Sequence, residues 1–306
     1  MNHAGLKAGS PFRGCGTALI TPFRADQSID EDAYRKLIRF QIEQGIDFLV
    51  PCGTTGETPT LNATEHLRLI TIAVEESKSA QAAGRRVPVL GGAGGNNTAH
   101  VVELARQLEA LGVDGVLSVA PYYNKPTQEG LYQHFAAVAA AVKVPVVLYN
   151  VPGRTSSNIE AATTLRLAAI PNIVAVKEAS GSLAQMSAIL ASAPAGFDVL
   201  SGDDAITLPL IALGGQGLVS VASNEIPGPM ARMVKLARAG DFQAARALHF
   251  QYLPLMEVNF IESSPGPVKY ALSRMGYCEE IYRLPMVPVS SASRQKIDAA
   301  MKAAGL

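Results

Sequence analysis

The chain has 306 residues, of which 48% are hydrophobic and 17% are charged, and this composition supports one large buried core and excludes a disordered protein. Its 26 basic residues balance its 26 acidic ones without a run of Lys or Arg, which argues against nucleic acids and membrane surfaces as partners. Three widely spaced cysteines, Cys15, Cys52 and Cys278, indicate neither a disulfide framework nor a zinc site.

The sequence carries no leader motif and no metal motif. The first ten residues lack the apolar segment of a signal peptide, and no later apolar stretch approaches the length of a membrane span, so we expect a cytoplasmic protein. The five histidines never fall four residues apart with an intervening Glu, which is the spacing of a common zinc motif. We therefore expect no metal and no other cofactor.

Short apolar runs alternate with longer helical segments from about residue 14 to residue 239. The apolar runs predict eight β-strands, at 16–20, 48–51, 87–90, 115–119, 146–149, 173–177, 199–201 and 218–221. Segments rich in Ala, Leu, Gln and Glu at helical spacing separate them, and the clearest predict helices over 32–44, 65–82, 99–111 and 128–142.

The number and order of these elements indicate the fold class. Eight strand and helix units in about 225 residues fit an α/β protein with a TIM (β/α)8 barrel better than an open doubly wound sheet, which usually has fewer strands. The tripeptide Gly45-Ile46-Asp47 recurs as Gly112-Val113-Asp114 before another apolar run, as a repeated helix-to-strand transition would.

The pattern changes after residue 240. Three segments there, 242–260, 267–275 and 293–304, predict helices separated by Pro and Gly. No flexible linker precedes them, so we expect them to pack against the barrel. We therefore predict a catalytic barrel domain over 11–240 and a small C-terminal helical domain over 241–306.

Barrels of this type form their active sites at the carboxyl ends of the strands, so the residues after each apolar run are candidates for function. After the second run, Gly53-Thr54-Thr55-Gly56-Glu57 offers two hydroxyls and backbone N–H groups that could hold a small carboxylate. The pentapeptide also fits a plain tight turn into the next helix. We assign Glu57 no catalytic role.

Aromatic and basic side chains follow the fourth and fifth runs. Tyr122 and Tyr123 come after the fourth, and Tyr149 ends the fifth. A phenol at that position relays protons if other hydroxyls polarise it, or else packs its ring at the rim with its OH in solvent. Arg154 suits bidentate capture of a carboxylate, or else an ion pair with a nearby acid.

A single lysine ends the sixth run. Lys177 follows Val and Ile, and an amine in such surroundings loses hydration, which favours the neutral form that attacks a ketone to form a Schiff base. The alternative is a strand-end lysine whose stem packs on apolar surface while its ammonium reaches water. The hydroxyls and the guanidinium expected at the same end of the barrel favour the reactive lysine.

Small and acidic residues follow the seventh run. Gly202 would let a substrate approach the backbone closely. Asp203 and Asp204 are adjacent, so their side chains point in different directions, and we expect a helix cap rather than a metal site. The Gly-rich runs 91–95 and 214–217 lack the spacing of phosphate-binding motifs and are predicted as turns.

Taken in order, these motifs resemble the family of pyruvate-dependent Schiff-base aldolases and lyases built on a (β/α)8 barrel, with the dihydrodipicolinate synthases as the nearest branch. The resemblance runs from residue 14 to the C terminus. Its motifs are Gly53-Thr54-Thr55-Gly56-Glu57, Pro121-Tyr122-Tyr123-Asn124, Tyr149-Asn150-Val151-Pro152-Gly153-Arg154-Thr155, Val176-Lys177-Glu178-Ala179, Leu200-Ser201-Gly202-Asp203-Asp204, Pro267-Val268-Lys269 and Arg283-Leu284-Pro285-Met286.

The resemblance implies roles for particular residues. Lys177 would condense with pyruvate, Tyr149 would donate and accept protons, and Thr54 with Tyr123 would complete a hydroxyl relay. Thr55 would bind the pyruvate carboxylate, Arg154 the carboxylate of L-aspartate 4-semialdehyde, and Gly202 with the Val219 carbonyl would line the pocket. The implied product is 4-hydroxy-tetrahydrodipicolinate, on the route to diaminopimelate and lysine.

The resemblance also bears on assembly and regulation. In the family Tyr123 projects into a neighbouring subunit's active site, which implies a homodimer as the smallest working unit and a homotetramer as the commoner state. The lysine-sensitive pattern has His where this chain has Ala63 and Glu where it has His100, whereas the possible allosteric residues His66, Asn96 and Tyr122 match. Without this Glu, the ammonium group of a bound lysine lacks an acidic partner, so we expect weak or absent inhibition by lysine.

Other functions stay open on the sequence alone. The chain could instead be another pyruvate-dependent aldolase or dehydratase, of the 4-hydroxy-2-oxoglutarate, 2-keto-3-deoxy sugar acid or N-acetylneuraminate type. In the N-acetylneuraminate type, however, the motif after the tyrosine of the fifth strand lacks the arginine found here as Arg154. A catalytically silent paralogue that binds a small carboxylate would need no nucleophile and no proton relay. A metal- or phosphate-dependent barrel enzyme lacks its ligands in this sequence.

Overall fold

The computed structural model describes residues 10–306, and its centre is a sheet of eight parallel strands. The strands are β1 (Gly14–Ala18), β2 (Phe48–Val50), β3 (Leu90–Gly92), β4 (Gly115–Val119), β5 (Val146–Asn150), β6 (Ile173–Glu178), β7 (Asp198–Ser201) and β8 (Gly217–Ser220). Residues 1–9, on which the expectation about a leader rests, lie outside the described residues.

The sheet closes into a barrel. Hydrogen-bonded neighbours follow the order β2-β1-β8-β7-β6-β5-β4-β3. A parallel bridge between Leu49 and Val89 joins the two ends, and the Gly92 N–H donates to the Pro51 carbonyl at 3.0 Å beside it. The predicted TIM (β/α)8 barrel is confirmed.

Two phenylalanine rings fill the amino end of the barrel interior. Phe12 and Phe48 are fully buried, and their rings meet edge to face with centroids 5.7 Å apart. Gly16 and Gly115 leave the space for them, because a Cβ on Gly16 would lie 2.1 Å from the Phe48 ring and one on Gly115 would lie 2.6 Å from the Phe12 ring. This apolar plug closes the amino end, so an internal cavity has room only toward the carboxyl ends.

Helices surround the barrel and continue after its last strand. They are α1 (Glu31–Glu43), α2 (Ala63–Ala82), α3 (Thr98–Leu111), α4 (Gln128–Ala141), α5 (Pro152–Thr155), α6 (Ala161–Ala168), α7 (Leu183–Ser192), α8 (Thr207–Ala212), α9 (Pro227–Arg238), α10 (Phe242–Val258), α11 (Gly266–Arg274) and α12 (Ser291–Ala304). Polar side chains fix several starts: Asn62 and Glu65 form a capping box at α2, and Asp241 accepts from the Ala244 N–H at α10. In the part of the chain described, no helix is both long enough and apolar enough to cross a membrane.

The helices after α9 agree with the expected C-terminal pattern. Helices α10, α11 and α12 follow the last strand without a further strand among them. The segment between α10 and α11 lies over the barrel, where the Ser264 carbonyl accepts a hydrogen bond from Arg154. The division into domains at residue 240 stays a prediction.

The third strand differs from its predicted range. It is predicted at 87–90 but spans Leu90–Gly92. Gly91 and Gly92, from the Gly-rich run predicted as a turn, therefore belong to the strand. A Cβ on Gly92 would lie 2.0 Å from the Cys52 carbonyl oxygen, so β3 approaches the end of β2 this closely only with glycine. Apolar periodicity misses such a strand end, because a glycine carries no apolar side chain.

We predict that Gly92→Ala destabilises the fold, because the added methyl overlaps the backbone where the barrel closes. The expected loss in the free energy of unfolding is about 1–3 kcal/mol, the range for overpacked sites, and urea denaturation measures it. Gly153→Ala is the matched control, because a Cβ there meets nothing within 4 Å. Equal stability of the two variants would contradict this account of the closure.

Candidate active site

Tyr149 and Lys177 lie side by side near the carboxyl end of the barrel. Strands β5 and β6 pair in parallel with Tyr149 opposite Lys177. Tyr149 belongs to the apolar interior cluster, as does Ala175, which lies on the same face of β6 as Lys177. The Lys177 Nζ lies 3.9 Å from the centroid of the Tyr149 ring, and both residues are 6% exposed. An amine and a phenol are thus held in contact away from bulk water.

Gly202 leaves room for the lysine stem. Its N–H donates to the Glu178 carbonyl at 2.9 Å, which fixes the start of the segment after β7. A Cβ on Gly202 would lie 3.1 Å from the Lys177 Cε and 2.7 Å from the Ala179 Cβ. Val219 on β8 is buried in the same interior cluster as Tyr149. The structure therefore brings Gly202 against Lys177 and puts Val219 on the interior wall.

The segment after β2 forms two short 3₁₀ turns, Thr54–Gly56 and Thr58–Thr60. The Gly53 carbonyl accepts from the Thr58 hydroxyl at 2.7 Å, and the Thr21 hydroxyl donates to the Gly56 carbonyl at 2.7 Å. Thr55 is buried and Thr54 is half-buried. These hydrogen bonds fix the backbone of the turn, and with it the two candidate hydroxyls.

A cavity of about 400 Å³ lies at this end of the barrel. Its wall comes from the segments at the ends of β2, β3, β4 and β5, and is formed by Cys52, Gly53, Thr54, Thr58, Pro59, Gly92, Gly94, Leu117, Val119, Tyr122, Tyr149, Val151, Arg154 and Thr155. Tyr149 is part of this wall and also contacts Lys177, whereas Lys177 itself is not one of the wall residues. A pocket of this size and mixed polarity suits small organic acids.

Arg154 lies on the cavity wall, and most of its N–H donors have no partner in the described part of the chain. It belongs to the short helix α5, and its Nη2 donates to the Ser264 carbonyl at 3.4 Å. Among residues 10–306 it forms no ion pair, so the alternative of a partner acid is not realised there. A guanidinium whose donors are free can bind a carboxylate through two parallel N–H···O hydrogen bonds.

Tyr123 does not join the other candidates within one chain. Its side chain is 89% exposed, and its backbone is left-handed with φ of 72°. The Asn124 amide donates to the Asn96 carbonyl at 2.9 Å, which pins the loop on the barrel. Tyr123 therefore points into solvent in a single chain, whereas its neighbour Tyr122 lines the cavity.

The four residues considered for lysine binding lie around β3 and β4. His66 is buried, and its Nε2 lies 2.9 Å from the Gly92 carbonyl. Burial lowers the pKa of His66, so the ring stays neutral at pH 7. The Asn96 amide donates to the Tyr122 carbonyl at 3.2 Å, and His100 is exposed on the first turn of α3.

Other reactive side chains near the site have structural roles. Burial strongly raises the pKa of the Cys52 thiol, so this cavity residue stays protonated and is a poor nucleophile. Asp204 accepts hydrogen bonds from the Ser220 hydroxyl and from the Val221 N–H, and so ties β7 to β8. Within residues 10–306, no three His, Cys, Asp or Glu side chains come together as a metal site.

The sequence alone does not reveal the partner of Glu57. The Lys269 Nζ on α11 donates to the Glu57 Oε1 at 2.5 Å, and both side chains are buried. The only signal was that both residues belong to motifs of the resemblance. Nothing in the spacing of two residues 212 positions apart indicates that they touch.

Comparisons with known proteins agree with this architecture. Residues 11–304 match the sequence model of the Dihydrodipicolinate synthetase family. A 4-hydroxy-tetrahydrodipicolinate synthase of Koribacter versatilis is 58% identical over 296 residues, which cover 96% of this chain and 97% of the relative.

Two solved structures are also similar. A dihydrodipicolinate synthase from Acinetobacter baumannii complexed with pyruvate superposes with a TM-score of 0.92 at 40% identity, covering 96% of this chain and 99% of the other. One from Cyanidioschyzon merolae with lysine bound also gives 0.92 at 40% identity, covering 97% and 99%.

Proposed function

The chain belongs to the dihydrodipicolinate synthetase family, and we propose that it is a lyase that condenses pyruvate with L-aspartate 4-semialdehyde to give 4-hydroxy-tetrahydrodipicolinate. The contact between Lys177 and Tyr149 carries this proposal, because an imine-forming lyase needs an amine and a proton carrier at one carbon atom. The cavity that Tyr149 lines, and the Arg154 on its wall that forms no ion pair within residues 10–306, support two carboxylic acid substrates.

The chemistry begins at the amine. The Lys177 Nζ attacks the keto carbon of pyruvate, the carbonyl oxygen leaves as water, and an imine results. Loss of a methyl proton gives the enamine, whose terminal carbon attacks the aldehyde carbon of the second substrate. The amine of that substrate then displaces Lys177 from the imine carbon, which closes the ring and frees the enzyme.

Each of these steps moves a proton, and the ring of Tyr149 is in contact with the reacting amine. We assign Tyr149 as the group that donates and accepts these protons, with Thr54 as the next hydroxyl of the relay. Thr55 binds the pyruvate carboxylate, while Gly202 and Val219 shape the wall around the imine. Arg154 receives the carboxylate of the aldehyde substrate.

Tyr123 completes the relay only if a second copy of the chain supplies it, since its own side chain is 89% exposed. We therefore propose a homo-oligomer, with a dimer as the smallest active unit and a tetramer as the full assembly. We also propose a cytoplasmic enzyme without a metal or organic cofactor. Lysine inhibits it weakly or not at all, because the exposed His100 offers no carboxylate beside His66, Asn96 and Tyr122.

We predict that pyruvate and borohydride label one residue, Lys177. Reduction traps the imine as a stable secondary amine, and peptide mass spectrometry locates it. Lys177→Ala abolishes the label, whereas Lys143→Ala, which removes a surface lysine, leaves it intact. A pyruvyl group on another lysine, or a labelled Lys177→Ala protein, would contradict the assignment.

We predict that Tyr149→Phe lowers kcat by about a hundredfold or more, the effect of losing a general acid–base group. The ring that contacts Lys177 is kept in this variant, so the protein still folds and still forms the borohydride-trapped adduct at saturating pyruvate. Steady-state kinetics with both substrates checks the loss. Unchanged turnover would remove Tyr149 from the mechanism.

We predict that Arg154→Ala lowers kcat/KM for the aldehyde by roughly tenfold to a hundredfold, the loss expected for a hydrogen-bonded charge pair of about 1.5–3 kcal/mol. Formation of the pyruvate adduct stays unchanged, because the guanidinium contacts only the second substrate. Arg154→Lys keeps the charge without the planar pair of donors, so its kcat/KM for the aldehyde lies between those of the wild type and Arg154→Ala. Equal damage to adduct formation and to aldehyde use would contradict this position.

A further inference from the structure

The Glu57–Lys269 ion pair joins the C-terminal region to the turn that carries Thr54 and Thr55. The Nζ and Oε1 atoms are 2.5 Å apart, and the two side chains are 0% and 1% exposed. Lys269 belongs to α11, which follows the barrel in the chain, whereas Glu57 lies just after β2. The pair therefore crosses from the C-terminal helices to the carboxyl face of the barrel.

Among residues 10–306, the ammonium of Lys269 forms one ion pair, with Glu57. Its Nζ lies 4.3 Å from the centroid of the Phe23 ring and 5.2 Å from that of Tyr282. Burial lowers the pKa of Lys269, and the nearby Glu57 carboxylate opposes this effect. Removing one member of such a pair leaves a buried charge without compensation.

Glu57 in turn controls the shape of the turn. Its backbone is left-handed, with φ of 52° and ψ of 33°, a conformation that a residue other than glycine adopts at a cost of about 1–2 kcal/mol. The Glu57 N–H donates to the Thr54 carbonyl at 3.1 Å, and the Glu57 carbonyl accepts from the Thr60 N–H at 2.9 Å. The residue therefore joins the two 3₁₀ turns, and any shift of Glu57 moves Thr54.

In the part of the chain that the structure describes, one oxygen of the Glu57 carboxylate has a hydrogen-bond partner, the Lys269 ammonium. Its second oxygen, Oε2, is buried and has no hydrogen-bond partner among residues 10–306. Lys269 is thus the group that fixes where the side chain points. An apolar pair could fill the same space without desolvating two charges, so stability alone does not require an ion pair here.

We propose that Lys269 and Glu57 are positioning residues, which hold the turn so that Thr54 and Thr55 meet the reacting pyruvate; this rests on the function proposed above. Thr54 and Thr58 of this turn line the cavity that Tyr149 also lines. A displacement of about 1 Å at a reacting centre can lower a rate a hundredfold. Helix α11 thereby supports the site through the hydrogen bond from Lys269 to Glu57.

The test compares the wild type with Glu57→Gln, Lys269→Met and the double variant. Thermal unfolding, kcat, the KM for pyruvate and the yield of borohydride-trapped adduct are measured for each. The single variants lose stability, because each leaves one buried charge unpaired. The double variant has no unpaired charge and regains most of the unfolding temperature that the single variants lose.

The double variant separates positioning from stability. We expect its kcat to be about tenfold to a hundredfold below wild type and its KM for pyruvate to be raised, while Lys177 still takes the label at saturating pyruvate. Recovery of kcat and KM together with the unfolding temperature would overturn the proposal, because the pair would then serve stability alone.

A second variant covers the case in which the double variant folds poorly. Glu57→Asp keeps both charges but shortens the side chain by one methylene, so the turn must shift or the contact must lengthen. A folded Glu57→Asp protein with reduced kcat supports the proposal, and one with wild-type kcat and KM overturns it.

The matched control is Glu280→Gln with Arg294→Met, which removes an ion pair of 2.8 Å in the C-terminal region that does not touch the turn. Its kcat and KM stay at wild-type values. Absence of a pyruvate label on the wild type would count against the proposed function and this inference together. A labelled wild type with unaffected Glu57 and Lys269 variants would count against the inference alone.

Discussion

The parallel register of β5 and β6 is the constraint on which the site depends. It puts Tyr149 and Lys177 on neighbouring strands at the same height, both facing the barrel interior. Below them the interior is apolar and ends in the plug of Phe12 and Phe48. The buried amine therefore lies between the apolar core and the Tyr149 ring, which lines the cavity.

Much of this arrangement could be predicted from the sequence. The β-branched runs mark strands, and in a barrel all parallel strands end on one face, so Lys177, Tyr149, Thr54 and Arg154 had to lie near one another. The third strand was placed too early because Gly91 and Gly92 carry no apolar signal. Only the close approach of Gly92 to the Cys52 carbonyl, a contact between two strands, explains why glycine is there.

The rest depends on contacts that spacing along the chain cannot indicate. The Glu57–Lys269 pair links positions 212 residues apart, and in the sequence Glu57 looked like an ordinary turn residue. The state of Arg154 was equally hidden, because its lack of an acidic partner among residues 10–306 follows from how α5 faces the segment before α11. A single chain leaves Tyr123 89% exposed, so the role proposed for it in the relay requires a second copy.

The central claim is that Lys177 binds pyruvate covalently in the cavity beside Tyr149. A crystal structure of the protein grown with pyruvate tests it most directly. The account predicts continuous density from the Lys177 Nζ to the second carbon of pyruvate, with the pyruvate carboxylate at Thr55. Pyruvate bound without a bond to Lys177, or bound away from Tyr149 and the turn after β2, would contradict it.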